Sequence, residues 1–144
     1  MSTRCQIRIE GNDALLYVHS DGYPESVLPD VLPFVATFHK FRGDDPQYLA
    51  ARLLQHLMNK GDADTEVVRK TMKQSGKDAP PTLNGYGVDC IIHTDIEFYY
   101  EVTNAGSVIV NAVRGGKPRR LAEFQLGTNP DDAVKEIKRL QEVE

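Results

Sequence analysis

The sequence has no tryptophan and only two cysteines, Cys5 and Cys90, far apart and with no other cysteine beside either at metal-ligand spacing. That pattern excludes a disulfide scaffold and a zinc ribbon or finger. Both thiols are expected to be free and, lying among isoleucines, to pack as small apolar groups. No apolar run approaches the ~20 residues of a membrane-spanning helix. The opening Met1-Ser2-Thr3-Arg4-Cys5-Gln6 lacks the basic, apolar and small-residue order of a secretory signal, so the expected location is cytoplasmic with no membrane partner. Positive charge is the minority, 17 Lys and Arg against 21 Asp and Glu, a net of −4 that does not advertise polyphosphate binding. Cofactor fingerprints are missing too. Gly85-x-Gly87 precedes a strand pattern rather than a helix, and Ser20 lacks the Gly-x-Ser-x-Gly frame of a nucleophile elbow, so no cofactor is expected.

What is present is an ordinary globular composition, 40% hydrophobic and 26% charged over 144 residues, enough for one domain spanning 1–144 with a single core. From Thr3 to Glu10 apolar and polar residues alternate, Thr3, Cys5, Ile7 and Ile9 on one face and Arg4, Gln6, Arg8 and Glu10 on the other. This predicts a half-buried strand, which Gly11-Asn12-Asp13 turns into a second strand from Ala14 to His19. Asp21-Gly22 supplies the next turn. The period then changes. Val31, Phe34, Val35, Phe38 and Phe41 predict a helix with an aromatic buried stripe, capped by Asp30 because Pro29 and Pro33 oppose an earlier start, and ending at Gly43. Asp45-Pro46 opens a second helix with Leu49, Leu53, Leu54, Leu57 and Met58 inward, expected to stop at Gly61 and to lie antiparallel to the first. A short helix over 62–73 follows, then a loop over 74–85 of a length that suits a functional or flexible segment, stiffened in part by Pro80-Pro81.

Period two returns from Tyr86 to Leu126. Tyr86, Val88, Cys90 and Ile92 form one core face, and Ile96, Phe98, Tyr100 and Val102 the next. Thr94-Asp95 is read as a tight link, with further turns at Asn104-Ala105-Gly106 and Gly115-Gly116. The economical arrangement is an antiparallel meander. Asn129-Pro130-Asp131-Asp132 then caps a C-terminal helix. The sum is an α+β fold, an antiparallel or mixed sheet of about six strands in the order β-β-α-α-(α)-β-β-β-β-α, with helices mainly on one face.

Chemistry concentrates in three places. His19 and Asp21, two apart at a strand end, are expected to project to one side, a spacing that suits an oriented base or a ligand pair; a plain turn also explains Asp21, Gly22 and Pro24. Asp89 and His93 share a strand face, some 13 Å apart at ~3.3 Å per residue, too far to grip one ion. Each would join His19 only if the N-terminal hairpin lay beside that strand. His39 and His56 read as helix-surface residues, so no metal site is assigned. Arg114, Lys117, Arg119 and Arg120 crowd one turn and are candidates for holding phosphate, although a charged turn that protects a sheet edge is the simpler reading. Tyr99, between Glu97 and Glu101, is expected on the polar face as a contact residue.

The opening Met1-Ser2-Thr3-Arg4 with its alternating strand, the strand ending in His19-Ser20-Asp21-Gly22-Tyr23-Pro24-Glu25, and the later Gly85-Tyr86-Gly87-Val88-Asp89 and Ile96-Glu97-Phe98-Tyr99-Tyr100-Glu101-Val102 together resemble a group of small uncharacterised bacterial and phage-associated proteins. The resemblance implies a cytoplasmic accessory role in a bacterial or prophage setting, with Arg4, His19, Asp21 and Tyr23 as a shared candidate site. It implies no reaction. The leading expectation is a noncatalytic binding or regulatory protein that presents its polar sheet face and the His19 to Tyr23 loop to a protein or small ligand. The alternatives are a metal-assisted or hydrolase-like enzyme using His19 and Asp21 with Asp89 or His93, and a nucleic-acid accessory protein using the basic turn.

Overall fold

Alternation at the N-terminus closes a hairpin, β1 (Cys5–Ile9) paired antiparallel with β2 (Leu15–Val18) so that Cys5 faces Val18. Gly11 takes the turn at a φ of 93°, beyond the easy reach of a side-chain-bearing residue. In this computed structural model, which describes residues 3–76 and 85–142 and only the backbone of 62–69, the chain continues as α1 (Pro24–Arg42), α2 (Pro46–Gln74), β3 (Tyr86–Asp89), β4 (Phe98–Val102), β5 (Ser107–Arg114), β6 (Lys117–Gln125) and α3 (Pro130–Glu142). The fold is α+β. Its six strands form one mixed sheet in the order β3-β2-β1-β4-β5-β6, antiparallel throughout except where β1 runs parallel to β4.

The meander is real for β4, β5 and β6 but does not include β3, which pairs with β2 at the far edge. Pairing fixes the reason. β3 runs antiparallel to β2, β2 to β1, and β1 parallel to β4, so β3 and β4 point the same way and no tight turn can join them. Residues 90–97 instead cross the sheet surface as a strap. Leaving the strand at Asp89 also turns Cys90 out, so that it is exposed with Ile91 while Cys5 is fully buried; Val88, within the edge strand itself, is exposed as well. Burial raises the Cys5 thiol far above its ordinary value.

Asp30 does not cap α1. The helix begins two turns earlier at Pro24, where a missing N–H costs nothing, and Tyr23 at the cap contributes no side-chain bond. Pro29 and Pro33 lie inside the helix on its exposed side, where the carbonyls they leave unbonded face water. Gly43 ends it as expected, its N–H bonded to His39 O, and Asp45 caps α2 by accepting from Tyr48 N at 3.2 Å. Gly61 does not end α2. It lies within the helix under the Tyr86 ring, where an added Cβ would stand 2.5 Å from Cε2. The short helix expected over 62–73 is the continuation of α2, and most of the expected loop, 77–84, lies outside the described residues.

Asp30 with Lys60, Phe34 with His56, and Phe38 with Tyr48 show that α1 and α2 run antiparallel. All three helices cover one sheet face. Ile7, Leu28, Leu32, Leu53, Tyr100 and Ile137 are among the fully buried residues of that core. On the other face Leu15, Ile96, Tyr99 and Val113 form a second, smaller cluster. Tyr99 is therefore buried rather than an exposed contact, and Gln6, expected on a wetted face, is completely buried.

Candidate functional site

The strap draws distant residues together on the sheet face away from the helices. Arg4 and Gln6 come from β1 and its lead-in, Tyr17 and His19 from β2 and its end, Asp89 from β3, and His93 and Asp95 from the strap itself. Arg4 Nε donates to His19 Nδ1 at 3.3 Å, so Nδ1 is an acceptor, the Tyr17 hydroxyl at 2.9 Å also donates to it, and the ring proton is assigned to Nε2. Arg4 also pairs with Asp95 at 3.5 Å. His93 Nε2 stands 3.2 Å from Asp89 Oδ1, and the Tyr17 ring stacks on His93 with centroids 5.8 Å apart. Burial first, with the Asp95 and Asp89 charges, pushes the Tyr17 phenol above its ordinary value against the pull of Arg4.

Buried Gln6 holds this arrangement. Its amide donates to Asp89 Oδ2 at 3.2 Å and to Ile91 O at 2.9 Å, while its carbonyl accepts from His93 N at 3.0 Å. The separation expected between Asp89 and His93 is corrected here, because the chain bends out of the strand between them. Arg4, His19, Asp89 and His93 thus form one cluster. Its polar atoms are largely engaged with one another, and among the described residues no three histidine, cysteine or carboxylate side chains are placed to hold a metal ion.

Asp21 and Tyr23 do not join them. Asp21 takes a left-handed φ of 60°, which reverses the direction of the chain after His19. It lines a cavity of about 50 Å³ on the helical side with Ser20, Ser26, Asp30 and Lys60, so His19 and Asp21 do not share a side. Gly22 is buried and serves close approach: an added Cβ would stand 2.8 Å from the backbone N of Cys5. Its N–H bonds Thr3 O and its carbonyl accepts the Tyr100 hydroxyl, both at 2.8 Å. Arg114, Lys117, Arg119 and Arg120 are exposed around a two-residue turn in which Gly115 and Gly116 both have positive φ. Arg120 is paired with Glu123.

The larger concavity lies elsewhere, a groove of about 390 Å³ between α1 and α2. Phe34, Phe38 and Phe41 line it from α1, and Tyr48, Arg52 and His56 from α2. Phe34 stacks on His56 with centroids 4.6 Å apart. The Arg42 guanidinium sits 3.8 Å above the Tyr48 ring and that of Arg52 at 4.9 Å, and Arg52 also donates to the Tyr48 hydroxyl at 2.8 Å. That hydrogen bond, then the Arg52 charge, lowers the Tyr48 phenol below its ordinary value.

Phe41 was expected inside with the rest of its stripe; it is 76% exposed, at the end of α1 where α2 no longer covers it. The sequence carried a signal for the groove: Phe34, Phe38 and Arg42 recur every four residues, as do Tyr48, Arg52 and His56, so each set stripes one helix face. What it did not show was that the two stripes meet, with rings of one against rings of the other and a groove beside them. No family model, curated protein or solved structure matches the chain.

Proposed function

We propose that this chain is a noncatalytic binding or regulatory module that takes a small organic ligand into the groove between α1 and α2. The observation that carries the reading is the lining itself, a concave surface of four aromatic rings with a few convergent polar groups, which is the usual make-up of a ligand site. The sheet-face cluster supports a role in fixing the strap, since Gln6, Asp89 and His93 tie residues 89–93 to β1. A cytoplasmic accessory role in a bacterial or prophage setting is the context that the sequence resemblance implies. A second reading, acid-base chemistry at the cluster, is favoured by the Asp89–His93 pair, in which a carboxylate orients an imidazole.

Both readings are separated by titrating the isotope-labelled protein with a library of small organic compounds and following amide shifts. Binding in the groove moves residues 34–42 and 48–59. Shifts confined to Arg4, Tyr17, His19, Asp89 and His93 would transfer the site to the sheet face and overturn the groove.

A further inference from the structure

We infer that the occupant of the groove is a flat aromatic monoanion whose charged group is held by Arg52, an inference that rests on the groove being the binding site. Two guanidiniums flank Tyr48, but they are not equivalent. Arg42 already has a carboxylate, Asp45, at 3.4 Å. Arg52 bonds only neutral partners, the Tyr48 hydroxyl and Gln55 Oε1 at 3.0 Å, and among the described residues no carboxylate lies within ion-pair distance of it. Among the described residues no acidic one lines the groove, although acidic residues outnumber basic ones in the chain. One uncompensated cation, pre-oriented by two hydrogen bonds beside an apolar floor, is the arrangement that receives a single anionic group.

The rest of the lining fixes the body of the ligand. Phe34 and His56 are nearly parallel at one end, with 23° between ring planes, and Phe41 stands exposed at the other, near the end of α1. A planar ring packed against the edge of this stacked pair gains apolar contact while its charge reaches Arg52. An uncharged aromatic would leave that guanidinium covered and without a counter-charge. A polyanion would bring its second charge towards Asp45.

The test compares two fluorescent probes of similar shape, anilinonaphthalene sulfonate, which is a monoanion, and neutral phenylnaphthylamine. Each is titrated into the wild type, Arg52→Gln and Thr37→Trp, with circular dichroism checking that the variants are folded. Thr37 is an exposed lining residue of α1, so its replacement by Trp fills the groove. Phe41→Ala serves as a second groove variant should Thr37→Trp not fold. The sulfonate is expected to bind about tenfold more tightly than the amine, to lose that margin in Arg52→Gln and in added salt, and both probes are expected to fail in the filled groove. Equal affinity for the two probes, insensitive to Arg52→Gln but abolished by Thr37→Trp, would overturn the anion and leave the groove standing. Binding of both probes that survives Thr37→Trp and Phe41→Ala would overturn the groove reading itself.

Discussion

Gly22 and Asp21 exchange the roles that their types suggest. A glycine in an Asp-Gly turn normally supplies the left-handed backbone, yet here Asp21 takes the positive φ and Gly22 makes room for β1. Gly22→Ala would drive a Cβ into the backbone of Arg4 and Cys5, which cannot swing aside as a side chain can. It is expected to cost about 2–4 kcal/mol, read as a lower urea midpoint. Asp21→Gly relieves a left-handed residue at the expense of unfolded-state entropy, so its stability should change by less than about 1 kcal/mol. A larger loss in Asp21→Gly than in Gly22→Ala would refute this division of roles. The His19 to Pro24 segment was legible as a turn. Which of its two central residues bears the backbone strain was not, because that depends on how closely β1 approaches.

Helix α1 shows the same limit at the scale of an element. Of its buried apolar positions the periodicity showed Val31 and Val35 but not Val27, Leu28 or Leu32, and two prolines argued for a late start. Burial of that stripe outweighs the two lost backbone bonds, since each buried aliphatic side chain contributes about 1.5–3 kcal/mol. Pro29→Ala restores an amide that can bond the carbonyl of Glu25. It should stabilise the protein by about 1–3 kcal/mol, less the entropy that proline removes from the unfolded chain. Thermal unfolding checks this, and a lower midpoint would mean that Pro29 fits its site better than a helical alanine does. The hairpin of β5 and β6 and helix α3 were legible almost in full, because Gly115-Gly116 and Asn129-Pro130 act locally. Asp131 N duly bonds Asn129 Oδ1 at 2.9 Å.

Across the whole molecule, four acidic hydrogens are held against ionisation, that of Tyr17 among them. Burial raises the Cys5 thiol, raises Tyr99 with help from the Glu101 charge, and raises Tyr100 well above its ordinary value. In each case the folded state binds the proton more tightly than the unfolded state does. The contribution is complete below the unfolded values, about 8.5 for a thiol and about 10 for a phenol, and is lost as pH rises past them. Stability should therefore fall from about pH 9 upward, and Cys5→Ala should delay the onset once its own cavity cost at neutral pH is subtracted. Denaturation midpoints measured across that range decide it, and a midpoint that stays level to pH 11 would contradict the burial of these groups.

By itself the sequence determined the α+β class and the order of the elements, because alternation, capping and turn chemistry are properties of neighbours along the chain. Tertiary structure alone decided three things: that β3 joins β2 and not β4, that Asp89 and His93 meet, and that two aromatic stripes meet with a groove beside them. Each depends on the relative direction and spacing of segments far apart in sequence. Periodicity records only which side of a segment is apolar, not which partner covers it.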